Sequence, residues 1–292
     1  MSYVFHVVVL ASIYAMLGLS LNLVAGTAGL LSIAHAAFFG AGAYVCGWLS
    51  IAGLPFPGGA AAGILAGGTL GLAVASVSLR LRDDSFVIAS FCFQVLFFQV
   101  VNNSLSVTGG PAGLTGIPPP RLFGGVIDTP AGSCLLVAAC AVATWVLCQR
   151  LVGARFGRLL RVIREDEVLA SAFGHNVSAS KLAVFATAGA IAGLAGVLYG
   201  SYFSYIDPTS FSLGESILIL TIVILGGAGS MAGTVFAAVL MIALPEALRF
   251  IGLPAPLAAH LRQVLYGSVL VVVMTMRPRG LFGEFAFGER RR

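Results

Sequence analysis

Charge is what this chain has least of: 16 Lys and Arg with 11 Asp and Glu make up 9% of its 292 residues, where a soluble domain carries about 25%. No Asp, Glu, Lys or Arg occurs before residue 80, and further charge-free runs cover 85–120, 129–149, 182–206, 216–245 and 263–276. With 59% hydrophobic residues, a water-soluble fold is excluded. The runs do not alternate apolar and polar residues, which excludes a β-barrel. No GxxxxGK[ST] phosphate loop is present, so any ATP is bound by another chain. The five cysteines, Cys46, Cys92, Cys134, Cys140 and Cys148, form no CxxC pair and lie inside apolar stretches. They read as packing residues, and no metal or redox site is expected. No Lys or Arg precedes the first apolar run, so a cleaved signal peptide is not expected.

What remains is apolar length. About 1.5 Å of rise per residue means that roughly 20 helical residues cross the hydrocarbon core. The chain is therefore read as all-α, a polytopic transmembrane helical bundle of roughly eight to ten spans. Helices are expected over 3–25, 30–50, 58–79, 85–101, 131–149, 181–205, 214–225, 231–244 and 257–276. The segments flanking Gly226-Gly227-Ala228-Gly229-Ser230 are short, which suggests a broken or re-entrant pair. Residues 1–292 are read as a single transmembrane domain with one charged loop at 150–181 and an opposite loop at 102–130.

Arginine placement gives the sidedness. Thirteen of the 16 basic residues fall into three groups, at 80–82, 150–181 and 277–292, all on one face of this layout. The positive-inside rule makes that face cytoplasmic, with the N-terminus outside and the C-terminus inside. Arginines near lipid headgroups account for the net charge of +5, and no nucleic acid is needed.

The island from Arg150 to Lys181 holds Arg155, Arg158, Arg161 and Arg164, then Glu165, Asp166 and Glu167, then Ala170-Ser171-Ala172 and Gly174. A helical wheel puts Val162, Leu169 and Phe173 on one stripe and Arg164, Glu167 and Ser171 on the other. One short amphipathic helix is expected, supported by an Arg161–Glu165 pair at i,i+4 and stopped at Gly174. Wheel and charge leave two readings open, a docking element and a membrane-surface helix without a partner.

Polar residues inside the apolar runs are Asn22, Ser32, His35, Gln94, Gln99, Asn102, Asn103 and Thr221. Such groups either bond between helices or line a water-filled path. Asn22, Ser32 and His35 flank a glycine-rich break and, with Gln94, are the candidates for a translocation path. Gly193, Gly196 and Gly200 point to close helix packing, and Asp207 and Glu215 are expected at the outer face.

The spacing Glu167-x-x-Ala170-x-x-x-Gly174 resembles the EAA-type coupling loop of ABC importer permeases. The run from Arg161 through Asn176 to Lys181-Leu182 resembles, more narrowly, the LivM-type permeases of branched-chain amino acid importers. So do Asn22-Leu-Val-x-Gly26 with Gly29-Leu-Leu-Ser32-x-x-His35 through Tyr44, and Thr108-Gly109-Gly110-x-x-Gly113 through Pro118. Gly226-Gly227-x-Gly229-Ser230-x-x-Gly233 and Arg277-Pro278-x-Gly280-Leu281-Phe282-Gly283 complete the set. Departures are Val95, apolar where many members of the family carry a glutamate, and a short N-terminus.

The resemblance implies a permease subunit without an ATPase site, in a bacterial inner membrane. It works with a second permease, two ATPase subunits that bind the ATP, and a periplasmic substrate-binding protein. Arg161, Arg164, Glu167, Ala170 and Gly174 then belong to the ATPase-coupling segment. Urea or short amides are alternative cargoes within the family. An ion-coupled secondary transporter is the alternative outside it, although no Asp, Glu or Lys is expected in mid-membrane for proton coupling. An intramembrane hydrolase using Ser230 with His35 or His260 as base is disfavoured, because Ser230 and His260 are expected at opposite faces.

Overall fold

The structure is a computed structural model. It describes residues 2–78, 81, 83–122, 125–249, 264, 266–269, 271–273, 275–276 and 280–283. Among the described residues, five helices are long and apolar enough to cross a membrane. They are α1 (Ser2–Leu21), which continues into a π-helical turn (Asn22–Thr27), α3 (Phe56–Ser78), α4 (Asp83–Asn103), α6 (Pro130–Gly153) and α9 (Val177–Phe203). Three shorter apolar helices are α2 (His35–Ile51), α10 (Leu213–Gly226) and α11 (Met231–Arg249). Much of the expected last span at 257–276 lies outside the described residues, as do Arg80, Arg82, His260, Arg262 and the arginines from 277 onward.

Burial separates inner from outer helices. In the most apolar window of α1, 78% of residues are buried, and in α9 61%, against 28%, 22% and 17% in α3, α4 and α6. The first two form the core and the last three present apolar surface outward, as lipid-facing helices do. Backbones come close where glycines face each other: α2 and α3 both pack on α9, with Gly42 against Gly193 and Gly67 against Gly189. A Cβ at Gly196 would overlap the Phe39 carbonyl and sit 2.8 Å from Ala43 N. Without a hydrophobic drive between helices in lipid, this backbone proximity supplies the packing.

Helix ends follow local chemistry. Thr129 Oγ1 accepts from Gly132 N at 3.2 Å ahead of Pro130 at the start of α6, and Asn176 Oδ1 accepts from Ala179 N at 2.9 Å to open α9. Both are side-chain N-caps. The second expected span begins later than residue 30, because Gly29 has φ +74° and the chain stays non-helical until His35. Two-residue strands add minor β structure: β1 (Leu114–Thr115), β2 (Arg121–Leu122), β3 (Gly125–Val126) and β4 (Tyr205–Ile206). β1 pairs antiparallel with β4, Leu114 opposite Ile206, and β2 with β3. The first pair ties the loop after α4, with its four-residue helix α5 (Leu105–Thr108), to the end of α9.

Candidate functional site

The charged island folds as two helices, not one: α7 (Arg155–Glu165) and α8 (Glu167–Ala172). Asp166 is extended, at φ −154° and ψ 106°, and its carboxylate accepts from Val168 N at 2.8 Å and Leu169 N at 2.9 Å. A capping aspartate offers the backbone an alternative to helix continuation, so the wheel drawn through this point does not hold. In α7 the buried side is Leu160 and Ile163, with Gly157, while Val162 faces out. Arg164, assigned by the wheel to the polar face, turns inward with its side chain only 18% exposed. The expected Arg161–Glu165 pair does not form. Arg161 Nη2 donates to Val152 O at 3.2 Å, and Glu165 lies 3.7 Å from Arg164.

In α8, Ala170 is fully buried, and Gly174 at φ +80° closes the helix as His175 N donates to Ala170 O at 3.2 Å. This is the left-handed glycine stop expected there. Glu167 pairs with Lys181, the chain's one lysine, at 2.5 Å, tying α8 to the first turns of α9. Val168, Leu169 and Phe173 are left exposed as an apolar tip.

A second constellation surrounds the interruption between α1 and α2. The break and the first turn of α2 carry backbone N–H groups without helical partners, and side-chain oxygens supply acceptors. Ser90 Oγ of α4 accepts from Ile33 N at 3.0 Å, Ser32 Oγ from Ala34 N at 3.3 Å, and Ser216 Oγ of α10 from Ala36 N at 3.1 Å. Gln94 Oε1 accepts from Ala37 N at 2.8 Å while its Nε2 donates to Phe211 O at 2.8 Å. Asn22 donates to Ser230 O at 3.0 Å and Thr234 Oγ1 at 2.6 Å, and accepts from Gly229 N at 2.8 Å. His35 is fully buried, with its ring beside Phe38 and facing the backbone of Ser20.

Ser32, His35 and Gln94 thus gather at the start of α2, with Asn22 one turn below the break. Ser90 and Ser216 serve the start of α2, and Thr234 belongs with Asn22 at the α10–α11 turn. A lone Ser or Thr in an apolar run gives no sequence signal of this kind, since most bond their own helix, as Thr221 does to Ile217 O at 2.8 Å. Ser230 Oγ accepts from Gly233 N at 3.1 Å as a turn cap. Near the β1–β4 end, Glu215 Oε2 accepts from Tyr14 OH at 2.6 Å, and Asp207 accepts from the Thr209 and Ser210 hydroxyls.

A lipid-compatible helical bundle with interrupted helices and one charged appendage at its end is the build of a multi-pass membrane transport protein. Comparison with known proteins narrows this. The family model described as the permease component of the branched-chain amino acid transport system matches residues 3–274, and the chain belongs to that family. It is 32% identical to the high-affinity branched-chain amino acid transport system permease protein LivM of Salmonella typhimurium, over 92% of this chain and 67% of that protein. The LivM protein of Escherichia coli is also 32% identical, over 93% and 68%. LivH of Escherichia coli is 26% identical over 96% and 94%. No solved structure matches the chain.

Proposed function

We propose that this chain is the membrane-spanning subunit of an ATP-driven importer of branched-chain or other small amino acids, residues 1–292 acting as one permease domain. It pairs with a second, related permease and two ATPase subunits that bind the ATP, and receives cargo from a periplasmic binding protein. It sits in a bacterial inner membrane with the 150–181 segment and the C-terminus cytoplasmic and the 102–130 loop outside. Membership of a permease family and relatives of both LivM and LivH type support the paired assembly.

The observation that carries the coupling role is the tip of α8. Val168 and Phe173 are 77% and 74% exposed, on a segment held to α9 by Glu167–Lys181 and to α1 by Arg164. Large apolar side chains held in water on an anchored rod fit a protein groove better than open solvent. Arg161, Glu167, Ala170 and Gly174 hold that rod in shape, while Arg164 ties it to the π turn at the end of α1. Movement of the ATPases then acts as a rigid-body push on the bundle, with Asn22, Ser32, His35 and Gln94 at the interrupted helices along the path.

The test uses Val168→Asp and Phe173→Asp, exposed positions where the permease itself should still insert. Co-purification of the ATPase subunits should fall at least about tenfold, the usual effect of placing a charge in an apolar hot spot. Normal co-purification together with normal ATP-dependent uptake would exclude the coupling role. Uptake that continues without ATPase subunits would favour an ion-coupled carrier.

A further inference from the structure

Two brackets meet on the π-helical turn at the end of α1. From one side, Arg164 Nη1 of α7 donates to Gly26 O at 2.9 Å. The aliphatic stem of the same arginine lies over Gly29, where any side chain would overlap Arg164 Cγ and where φ is +74°. From the other side, Asn22 uses its amide oxygen and both amide hydrogens on Gly229 N, Ser230 O and Thr234 Oγ1, joining the turn to the α10–α11 connection. Gly26 lies between the brackets: a Cβ there would overlap Asn22 Oδ1 and stand 2.5 Å from Gly229 N. The α10–α11 connection is itself backed by the chain at 280–283, with Leu281 N donating to Leu225 O at 2.9 Å and Phe282 N to Gly226 O at 3.2 Å.

A π turn that ends a long helix changes its register locally, and neighbouring contacts must hold that change in place. Here those contacts come from two elements distant in sequence. We infer that the π turn of α1 is the junction through which displacement of α7 reaches the membrane helices, with Arg164 and Asn22 as the positioning residues on its two sides. Arg164 carries the movement into α1 through a charge-assisted bond. Asn22 passes it to the α10–α11 hairpin. The non-helical stretch 28–34 lets α2 start afresh, so α1 is not bound to move with α2 as one continuous helix. The inference rests on the proposed ATPase-coupling role of α7 and α8.

The complete transporter, reconstituted in proteoliposomes with its ATPases and binding protein, is compared as wild type, Arg164→Met, Arg164→Lys, Thr234→Val and the Arg164→Met/Thr234→Val double variant. Leucine uptake and ATP hydrolysis are read on the same vesicles. Arg164→Met keeps the stem over Gly29 and removes the donor, and Thr234→Val removes the side-chain acceptor of Asn22 at near-constant volume. Each should keep its ATPase subunits and its hydrolysis while leucine delivered per ATP falls about fivefold. Arg164→Lys should restore most of the ratio, and the double variant should fall no further than the worse single variant, because the links act in series. An unchanged ratio in Arg164→Met, or losses that multiply in the double variant, overturns the junction. Loss of the ATPase subunits from Arg164→Met overturns it too, by making Arg164 a docking residue. Should Arg164→Met fail to insert, Thr234→Val decides by its own ratio. Failure of the coupling role itself shows separately, as Val168→Asp and Phe173→Asp transporters that retain ATPases and uptake.

Discussion

Lys181 shows how a single charge is managed at the edge of the bundle. Its side chain is 8% exposed, whereas that of its partner Glu167 is 50% exposed. Removing one member of such a pair does not cost the same from each side. Glu167→Gln leaves a buried ammonium without its counter-charge, the expensive case. Lys181→Met leaves a carboxylate that water already reaches, and the apolar replacement suits the site. Glu167→Gln should therefore lower the detergent-unfolding midpoint clearly more than Lys181→Met. Equal losses would mean that the ion pair contributes nothing beyond packing. Glu167 stands out in the sequence through its spacing to Ala170 and Gly174, but its partner does not. Lys181 lies on the next helix, and the pairing depends on the turn that Gly174 makes between them.

At the scale of elements, two kinds of glycine must be told apart. Gly196 carries the backbone of α2 against α9, so a Cβ meets a carbonyl and an amide nitrogen that cannot move aside. Gly68, on α3, has its nearest neighbour, Ala186 O, at 3.4 Å, an ordinary contact distance. Gly196→Ala should destabilise by about 1–3 kcal/mol or more, the usual cost of overpacking. Gly68→Ala should be neutral or stabilising by up to about 1 kcal/mol, since alanine is the better helix former. Unfolding in SDS titrations checks both, and similar behaviour of the two variants would contradict the packing described for α2, α3 and α9. The glycine spacing from 193 to 200 announces close packing in sequence, but which helix it receives does not show there. The split of the charged island was hidden for a related reason. A wheel assumes one continuous helix, and whether Asp166 caps or continues depends on where α7 is anchored.

Across the whole molecule, two ends are distinct. One gathers the π turn, α7, α8 and the α10–α11 connection, and the other gathers β1, β4 and the loop after α4. In the proposed topology the first faces the cytoplasm. In a background without native cysteines, Phe173→Cys should react with a membrane-impermeant maleimide only from the cytoplasmic side. Tyr205→Cys, exposed beside the opposite end, should react only from outside. The reverse pattern would invert the topology and remove the ATPase-coupling reading with it.

The sequence by itself determined the class, the solvent and most of the long apolar helices, because charge-free length is set by the bilayer and needs no knowledge of neighbours. It also marked the stop at Gly174 and the polar residues beside the helix break. Only the tertiary structure decided what those residues touch. Asn22 meets the α10–α11 turn, Gln94 spans from the start of α2 to Phe211 O, and Arg164 reaches back to Gly26 O. Each of these contacts joins residues far apart in the chain, and a hydrogen bond made by an uncapped backbone group in lipid goes to whichever side chain the packing brings within 3 Å or so.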